Sequence, residues 1–243
     1  MDLTNYTQVA KKKITTSTIK TFILAIYAGI FIALAGVLST VASLSIDNYS
    51  IGKILSGLVF PIGLVLVILF KAELFTGNSL LVIPLLNKDI TLKELLKNWL
   101  VVYLGNLCGS LIIALIITMT PLKDLLQSSL INIAHNKINY SQQTALILGI
   151  LCNFLVCLAV ILAINAKSIS EKIAVIYLPI FTFIVLSLEH SIANMFYLSI
   201  GYLLDNTLNI GTMFINNLLP VTIGNIIGGT FLGVSLWFLQ EKQ

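Results

Sequence analysis

Long apolar windows, almost free of charged residues, constrain the fold of this chain most. Two of these windows are interrupted by charged and polar residues. Each window holds about 20 or more residues, the length that crosses a lipid bilayer as a helix. The six windows span residues 21–46, 54–87, 98–122, 138–166, 173–204 and 206–240. The pattern predicts an all-α polytopic membrane protein with six transmembrane helices, the second and fifth of them broken.

Composition supports a membrane location. Hydrophobic residues make up 58% of the 243 residues and charged residues only 10%, against about a quarter charged in soluble proteins. All 14 basic residues are lysine, so the bidentate arginine contacts that favour large phosphates and carboxylates are missing. The net charge of +4 lies mainly near the membrane ends, and we expect a bilayer partner and no nucleic acid.

The two interruptions resemble each other. The second window contains Glu73 and Asn78, and the fifth contains Glu189 and Asn194, each pair five positions apart. Polar groups at bilayer depth are tolerated where they face protein or a water-filled cavity. Discontinuous helices in matching halves are typical of a transport site, so the sequence predicts one here.

Other motifs recur at nearly the same shift. Four residues of the third window reappear 119 positions later in the sixth: Asn98/Asn217, Gly105/Gly224, Asn106/Asn225 and Gly109/Gly228. The interruptions recur 116 positions apart. Because each half holds three spans, the halves must run in opposite directions. We predict one domain over 1–243, with inverted, aquaporin-like 3+3 repeats at about 21–120 and 138–240.

The repeated small and amide residues have separate expected roles. Glycines spaced four apart allow helices to approach closely. Amides in lipid need partners, and broken helices leave backbone groups free. We therefore expect Asn106 and Asn225 to hold the two broken helices in place.

Lysine placement predicts orientation, because cytoplasmic loops are enriched in basic residues. Ten lysines fall on one side: Lys11, Lys12, Lys13, Lys20, Lys88, Lys93, Lys97, Lys167, Lys172 and Lys242. The opposite loops hold only three: Lys53, Lys123 and Lys137. Both termini should be cytoplasmic, with 1–20 as a cytoplasmic N-terminal segment.

Few residues within the windows can carry chemistry. His190 is the one histidine inside a window, and histidine can exchange a proton near neutral pH. Glu73 and Glu189 could bind a cation, accept backbone N–H groups or pair with lysine. Lys71 could either neutralise Glu73 or extend its ammonium to the membrane interface, with neutralisation favoured, and we expect His135 to be an exposed loop residue. No cluster suggests a metal site or cofactor.

Several segments resemble the formate/nitrite transporter family of pentameric anion channels. They include Ala72-Glu73-Leu74-Phe75-Thr76-Gly77-Asn78, Lys97-Asn98-Trp99, Gly149-Ile150-Leu151-Cys152-Asn153, Glu189-His190-Ser191-Ile192-Ala193-Asn194-Met195 and the segment 217–229. The resemblance covers nearly the whole chain and implies a homopentamer in which each protomer has its own pore.

The resemblance also implies roles for individual residues. His190 would be the central pore histidine, within reach of Thr76 and Asn153, with a mobile loop around Thr76. Lys137 would lie in the outer vestibule, in a polar network with Glu189. Two hydrophobic constrictions would be formed by Phe60, Leu64, Leu74, Val156 and Phe183. The position of Lys71 is usually small in the family, so this lysine is a possible modulator.

The implied function is passage of small monovalent anions of weak acids across the cell membrane, linked to protons. Formate is the first expectation, with nitrite and hydrosulfide as alternatives. A neutral-solute channel of the aquaporin type is a second reading, although its paired Asn-Pro-Ala signature is absent from the sequence. An intramembrane enzyme is a third, weakened because zinc catalysis needs two or three close ligands.

Overall fold

A computed structural model describes residues 3–240, and every regular element in that range is helical. The α-helices are α1 Thr4–Thr15, α2 Thr18–Ser43, α3 Tyr49–Val59, α4 Ile62–Phe70, α5 Phe75–Asn78, α6 Val82–Leu86, α7 Leu92–Thr118, α8 Leu122–Ile138, α9 Gln142–Asn165, α10 Ile169–Val185, α11 Ser191–Leu204, α12 Ile210–Met213 and α13 Leu219–Gln240. A 3₁₀ turn at Ser79–Leu81 joins α5 to α6, and a π-helical turn at Phe214–Leu218 joins α12 to α13. Lys242 lies outside the described residues.

Five helical stretches are long and apolar enough to cross a membrane: Thr18–Ser43, Tyr49–Phe70, Leu92–Thr118, Gln142–Asn165 and Ile210–Gln240. Two shorter apolar stretches, Phe75–Leu86 and Ser191–Leu204, follow the predicted breaks. The predicted all-α membrane fold, with interruptions in the second and fifth windows, is confirmed. The six-span count, the inverted orientation of the halves and the domain limits stay predictions.

The second window also contains a bend that the charge pattern does not reveal. Helix α3 ends at Val59 and α4 begins at Ile62, with Phe60 and Pro61 between them. Proline has no N–H to donate and its ring obstructs the preceding turn, so a helix bends or stops there. This window is therefore divided twice.

Glycine lets two pairs of helices approach to backbone contact. A Cβ atom at Gly109 would overlap the carbonyl oxygen of Ile26 on α2, and one at Gly228 would overlap that of Ile150 on α9. The expectation that these glycines serve close helix packing is confirmed. Pairing α2 with α7, and α9 with α13, brings Asn106 of α7 and Asn225 of α13 against the two breaks.

The segment before the fourth window is a helix, so the expected exposed loop there is wrong. Its apolar residues Leu126, Leu130 and Ala134 are four apart and fully buried on one face of α8, which is the spacing of an amphipathic helix. His135 is consequently half-buried, and its Nε2 lies 2.7 Å from Oδ2 of Asp205. Lys137 sits in the last turn of α8.

Candidate functional site

The second break is organised around the carboxylate of Glu189, which is 2% exposed. Lys137 Nζ donates to Oε1 at 2.9 Å, while the amides of Asn194 and Asn217 donate to Oε2 at 2.5 and 3.1 Å. A buried ion pair is stable only when its remaining hydrogen-bonding capacity is used. Three donors on two oxygens meet that requirement.

The first break is organised in the same way around Glu73. Its Oε2 accepts Lys13 Nζ at 2.9 Å and the Asn78 amide at 2.8 Å. Asn78 in turn donates to Asn98 Oδ1 at 2.8 Å. Lys13 was predicted only as one of the cytoplasmic-side lysines, so its role in the break was missed. The sequence did contain a signal for this role. Glu73 and Glu189 occupy matching positions in the two breaks, and Lys137 was placed beside Glu189, so a lysine could be expected beside Glu73 as well.

Lys71 does not pair with Glu73 in the described part of the chain, so the favoured alternative, neutralisation of Glu73, is wrong. Lys71 is exposed and adopts the left-handed conformation, with φ of 57°, at the end of α4. The next N–H, of Ala72, donates back to the carbonyl of Val67 at 2.9 Å. This turn is a common helix stop; here it leaves Lys71 on the surface while Glu73 is 6% exposed.

Ser187 ends α10 by the same turn. Its φ is 54°, and the N–H of Leu188 donates to the carbonyl of Phe183 at 3.0 Å. Ser187 follows Lys71 by 116 positions, the same shift that separates the two glutamates. The breaks thus share a stop signal as well as a carboxylate.

Asn106 and Asn225 each bind both sides of one break. Asn106 Oδ1 accepts the N–H of Phe75 at 2.9 Å, and its amide donates to the carbonyls of Glu73 and Ala25. Asn225 Oδ1 accepts the N–H of Ser191 at 2.8 Å, and its amide donates to the carbonyls of Glu189 and Gly149. These contacts satisfy backbone groups that each interrupted helix leaves free.

The two breaks meet at Thr76 and His190. Thr76 Oγ1 lies 3.0 Å from His190 Nε2, and both residues are buried. His190 is also the N-cap of α11, where its Nδ1 accepts the N–H of Ala193 at 3.1 Å. Because Nδ1 is an acceptor, a neutral imidazole carries its proton on Nε2 and donates it to Thr76. The hydrogen of the Thr76 hydroxyl then remains available to another acceptor.

Asn153 lies behind Thr76, and its hydrogen bonds within residues 3–240 go to groups other than His190. Its amide faces the Thr76 carbonyl at 3.1 Å, Ser79 Oγ at 3.2 Å and the Asn225 carbonyl at 2.6 Å. Its Oδ1 is buried without a partner among residues 3–240. Asn153 therefore links the Thr76 segment to α13, which also carries the amide that brackets the second break.

Apolar side chains enclose this centre. The residues expected to form constrictions are each at most 3% exposed: Phe60, Leu64, Leu74, Val156 and Phe183. Phe183 stacks on the His190 ring with centroids 5.9 Å apart, and meets Phe60 edge-on at 5.6 Å. The structure brings the two phenylalanines together beside the histidine; constriction of a pore by all five stays a prediction.

Comparison with known proteins gives the family. A family model described as formate/nitrite transporter matches residues 2–239. The chain belongs to the formate/nitrite transporter family. It is therefore a multi-pass membrane protein of a transport family rather than an enzyme.

Individual relatives agree along most of their length. The chain is 34% identical to the formate channel FocA of Escherichia coli K12, over 95% of this chain and 90% of that protein. It is 36% identical to the formate-nitrite transporter of Entamoeba histolytica, over 97% of this chain and 68% of the relative. A solved pentameric formate channel with formate bound superposes with a TM-score of 0.83 at 36% identity, covering 92% of this chain and 98% of that one.

Proposed function

We propose that this protein passes small monovalent anions of weak acids across the cell membrane, with formate as the main substrate and a proton moving with each anion. The observation that carries the proposal is the buried Thr76–His190 hydrogen bond, which places polar groups between apolar side chains. The relatives named as formate channels support formate as the substrate.

Charge decides how an anion can cross such a centre. A bare carboxylate loses a large hydration energy in apolar surroundings, and desolvation favours its neutral, protonated form. The ammonium of Lys137 donates one hydrogen bond to Glu189. An ammonium has three N–H donors, so Lys137 can still donate to an arriving anion. We infer that the anion is attracted near Lys137, takes a proton and crosses the apolar part as the neutral acid.

His190 serves in this scheme as a neutral hydrogen-bond donor. Releasing the Nε2 proton would leave an imidazolate, whereas adding a proton at Nδ1 would remove the acceptor that caps α11 through Ala193. The proton that accompanies the anion therefore comes from water, and His190 and Thr76 orient the neutral acid. This refines the expectation that His190 itself exchanges the proton.

Formate uptake into proteoliposomes under a clamped membrane potential tests the proposal. Passage of a neutral acid predicts uptake that does not follow the imposed potential but rises as external pH falls, above the level in empty vesicles. Uptake driven by the potential would contradict proton linkage. In His190→Asn, which keeps an amide donor, the same pH dependence is expected; its loss would show that His190 relays the proton.

Substrate choice needs a competition experiment. Formate, nitrite and hydrosulfide are all small and monovalent, and we expect each to slow uptake of labelled formate, with formate itself the strongest competitor. Glycerol permeability distinguishes an anion channel from a neutral-solute channel. If the reconstituted protein passes glycerol as readily as formate, the assignment as an anion channel is contradicted.

Assembly and orientation belong to the same proposal. We infer a homopentamer with both termini in the cytoplasm, supported by the pentameric relative and by the ten-to-three distribution of lysines. Native mass spectrometry in detergent should give five copies. Protease access to an N-terminal tag in inside-out vesicles, and not in right-side-out ones, tests the orientation.

A further inference from the structure

The thiol of Cys157 lies beside the segment that carries Thr76. Cys157 lies on α9, one helical turn after Asn153, and is fully buried. Its Sγ lies 3.3 Å from the backbone carbonyl oxygen of Thr76, to which it donates. The Asn153 amide donates to that same oxygen at 3.1 Å.

Helix α13 closes the space around these donors. A Cβ atom at Gly229 would lie 2.6 Å from Asn153 Nδ2, 2.6 Å from Ser79 Cβ and 2.8 Å from Cys157 Sγ. The backbone of α13 therefore presses on all three side chains and leaves them little freedom. The Thr76 carbonyl is held from one side by α9 and, through these side chains, by α13.

The held carbonyl belongs to the residue whose hydroxyl contacts His190. Thr76 is the second residue of α5, which has only four residues and is followed at once by a 3₁₀ turn. So short a helix has few internal hydrogen bonds to fix its own position. The direction of the Thr76 hydroxyl therefore depends on contacts from outside α5, and the Cys157 thiol is one of them.

We propose that Cys157 is a positioning residue for anion passage: its thiol holds the Thr76 carbonyl so that the Thr76 hydroxyl faces both His190 and the passing acid. This inference rests on the proposed function of the Thr76–His190 centre. Cys157 need not contact the substrate, since it acts through the backbone of Thr76.

Five variants in proteoliposomes test this role. Cys157→Ala removes the donor and should slow formate uptake about threefold to tenfold, the effect of one weak hydrogen bond. Cys157→Ser retains a donor and should restore most of the rate. Cys152→Ala is the matched control, because Cys152 is fully buried on the same helix and its thiol donates no hydrogen bond within the described residues. Uptake by this variant should equal that of the wild type.

The other two variants, Thr76→Val and the double variant Thr76→Val/Cys157→Ala, separate positioning from general packing. In a Thr76→Val background the hydroxyl is gone, so adding Cys157→Ala should cause no further loss of uptake. An additional loss of the same size as in the wild type would overturn the inference, as would a Cys157→Ser protein as slow as Cys157→Ala. A fall in uptake that only follows a fall in the folded fraction, measured by gel filtration, would also overturn it.

Failure of the proposed function gives a different result. If the wild type passes nitrite or hydrosulfide but not formate, the formate assignment fails and the same variants are compared with the anion that passes. If the wild type passes none of the three, the proposed function fails and the inference about Cys157 fails with it.

Discussion

The two helix breaks share one framework and differ in the side chains that they bring to the centre. Each has a left-handed stop residue, a buried glutamate held by a lysine and an asparagine, and a second asparagine that brackets the broken backbone. Only the first supplies Thr76 and only the second supplies His190. The comparison teaches that the repeat provides the scaffold, while the function rests on the residues that are not repeated.

The resemblance extends to the surface of the protein. Lys11 pairs with Asp89 at 2.8 Å and His135 pairs with Asp205 at 2.7 Å, two residues before each framework lysine. Asp205 follows Asp89 by the same 116 positions as the glutamates. Each helix that delivers a framework lysine is thus fastened by a second contact to an aspartate, made by a lysine in the first half and by a histidine in the second.

The largest expected effect comes from removing the framework carboxylates. Glu189→Gln leaves the largely enclosed ammonium of Lys137 without its counter-charge and should destabilise the protein by about 3 kcal/mol. Glu73→Gln should cost less, because Glu73 has two donors against three and Lys13 is more exposed, at 19% against 13%. Thermal unfolding of both variants in detergent measures the difference. Equal destabilisation would show that the two frameworks are energetically the same.

The bracketing asparagines should be nearly equivalent. Asn106→Ala and Asn225→Ala each remove one acceptor and one amide that donates twice, and each should cost about 2–4 kcal/mol from buried groups left unpaired. Denaturant unfolding of the two variants, side by side, is the measurement. A difference above about 2 kcal/mol would break the symmetry of the two halves.

The surface ion pairs should differ in pH dependence. The hydrogen bond from His135 lowers the pKa of Asp205 to about 2, so the carboxylate stabilises the fold above its ordinary range near pH 4 and loses that effect as pH falls toward about 2. Asp205→Asn should therefore melt below the wild type at pH 6, with the gap closing between about pH 4 and pH 2. Asp89→Asn is the comparison and should show a smaller gap. A gap for Asp205→Asn that stays constant down to pH 2 would contradict the assignment.

The smallest expected effect is a gain. Lys71 and Ser187 adopt the left-handed backbone conformation. Glycine adopts this conformation without the steric cost that a Cβ atom brings. Lys71→Gly and Ser187→Gly should each stabilise the protein by about 0.5–1 kcal/mol, after allowing for glycine's greater freedom when unfolded. Melting temperatures measure this. Lys71→Ala is the control, which removes the charge and keeps the Cβ; stabilisation by Lys71→Ala would point to the charge instead.

Much of this arrangement could be predicted from the sequence, because it depends on local polarity. Glu73, Glu189, Asn106 and Asn225 stand out since polar groups in apolar windows need partners. The contacts of Lys13 were not predicted, because it lies 60 residues from Glu73 and helix packing alone brings the two together. A charge count treats such a lysine only as a sign of orientation.

Other features were missed for local reasons. The bend at Pro61 carries no charge, so windows defined by charge pass over it. The helix that holds His135 is less apolar than the membrane spans. A search for apolar windows therefore predicts a loop at this position. The thiol contact of Cys157 depends on where α5 lies against α9, which no spacing in the sequence reveals.

The central claim is that anion passage depends on the unrepeated Thr76–His190 pair rather than on the scaffold. Formate uptake by Thr76→Val in proteoliposomes tests it most directly, because valine has nearly the shape of threonine and carries a methyl group in place of the hydroxyl. Thr230→Val is the matched control, since the Thr230 hydroxyl is buried without a partner among residues 3–240. We predict that Thr76→Val lowers uptake about tenfold in protein that still folds, although its melting temperature falls because the buried Nε2–H of His190 loses its acceptor. Thr230→Val should transport like the wild type. Wild-type uptake by a folded Thr76→Val protein would contradict the account.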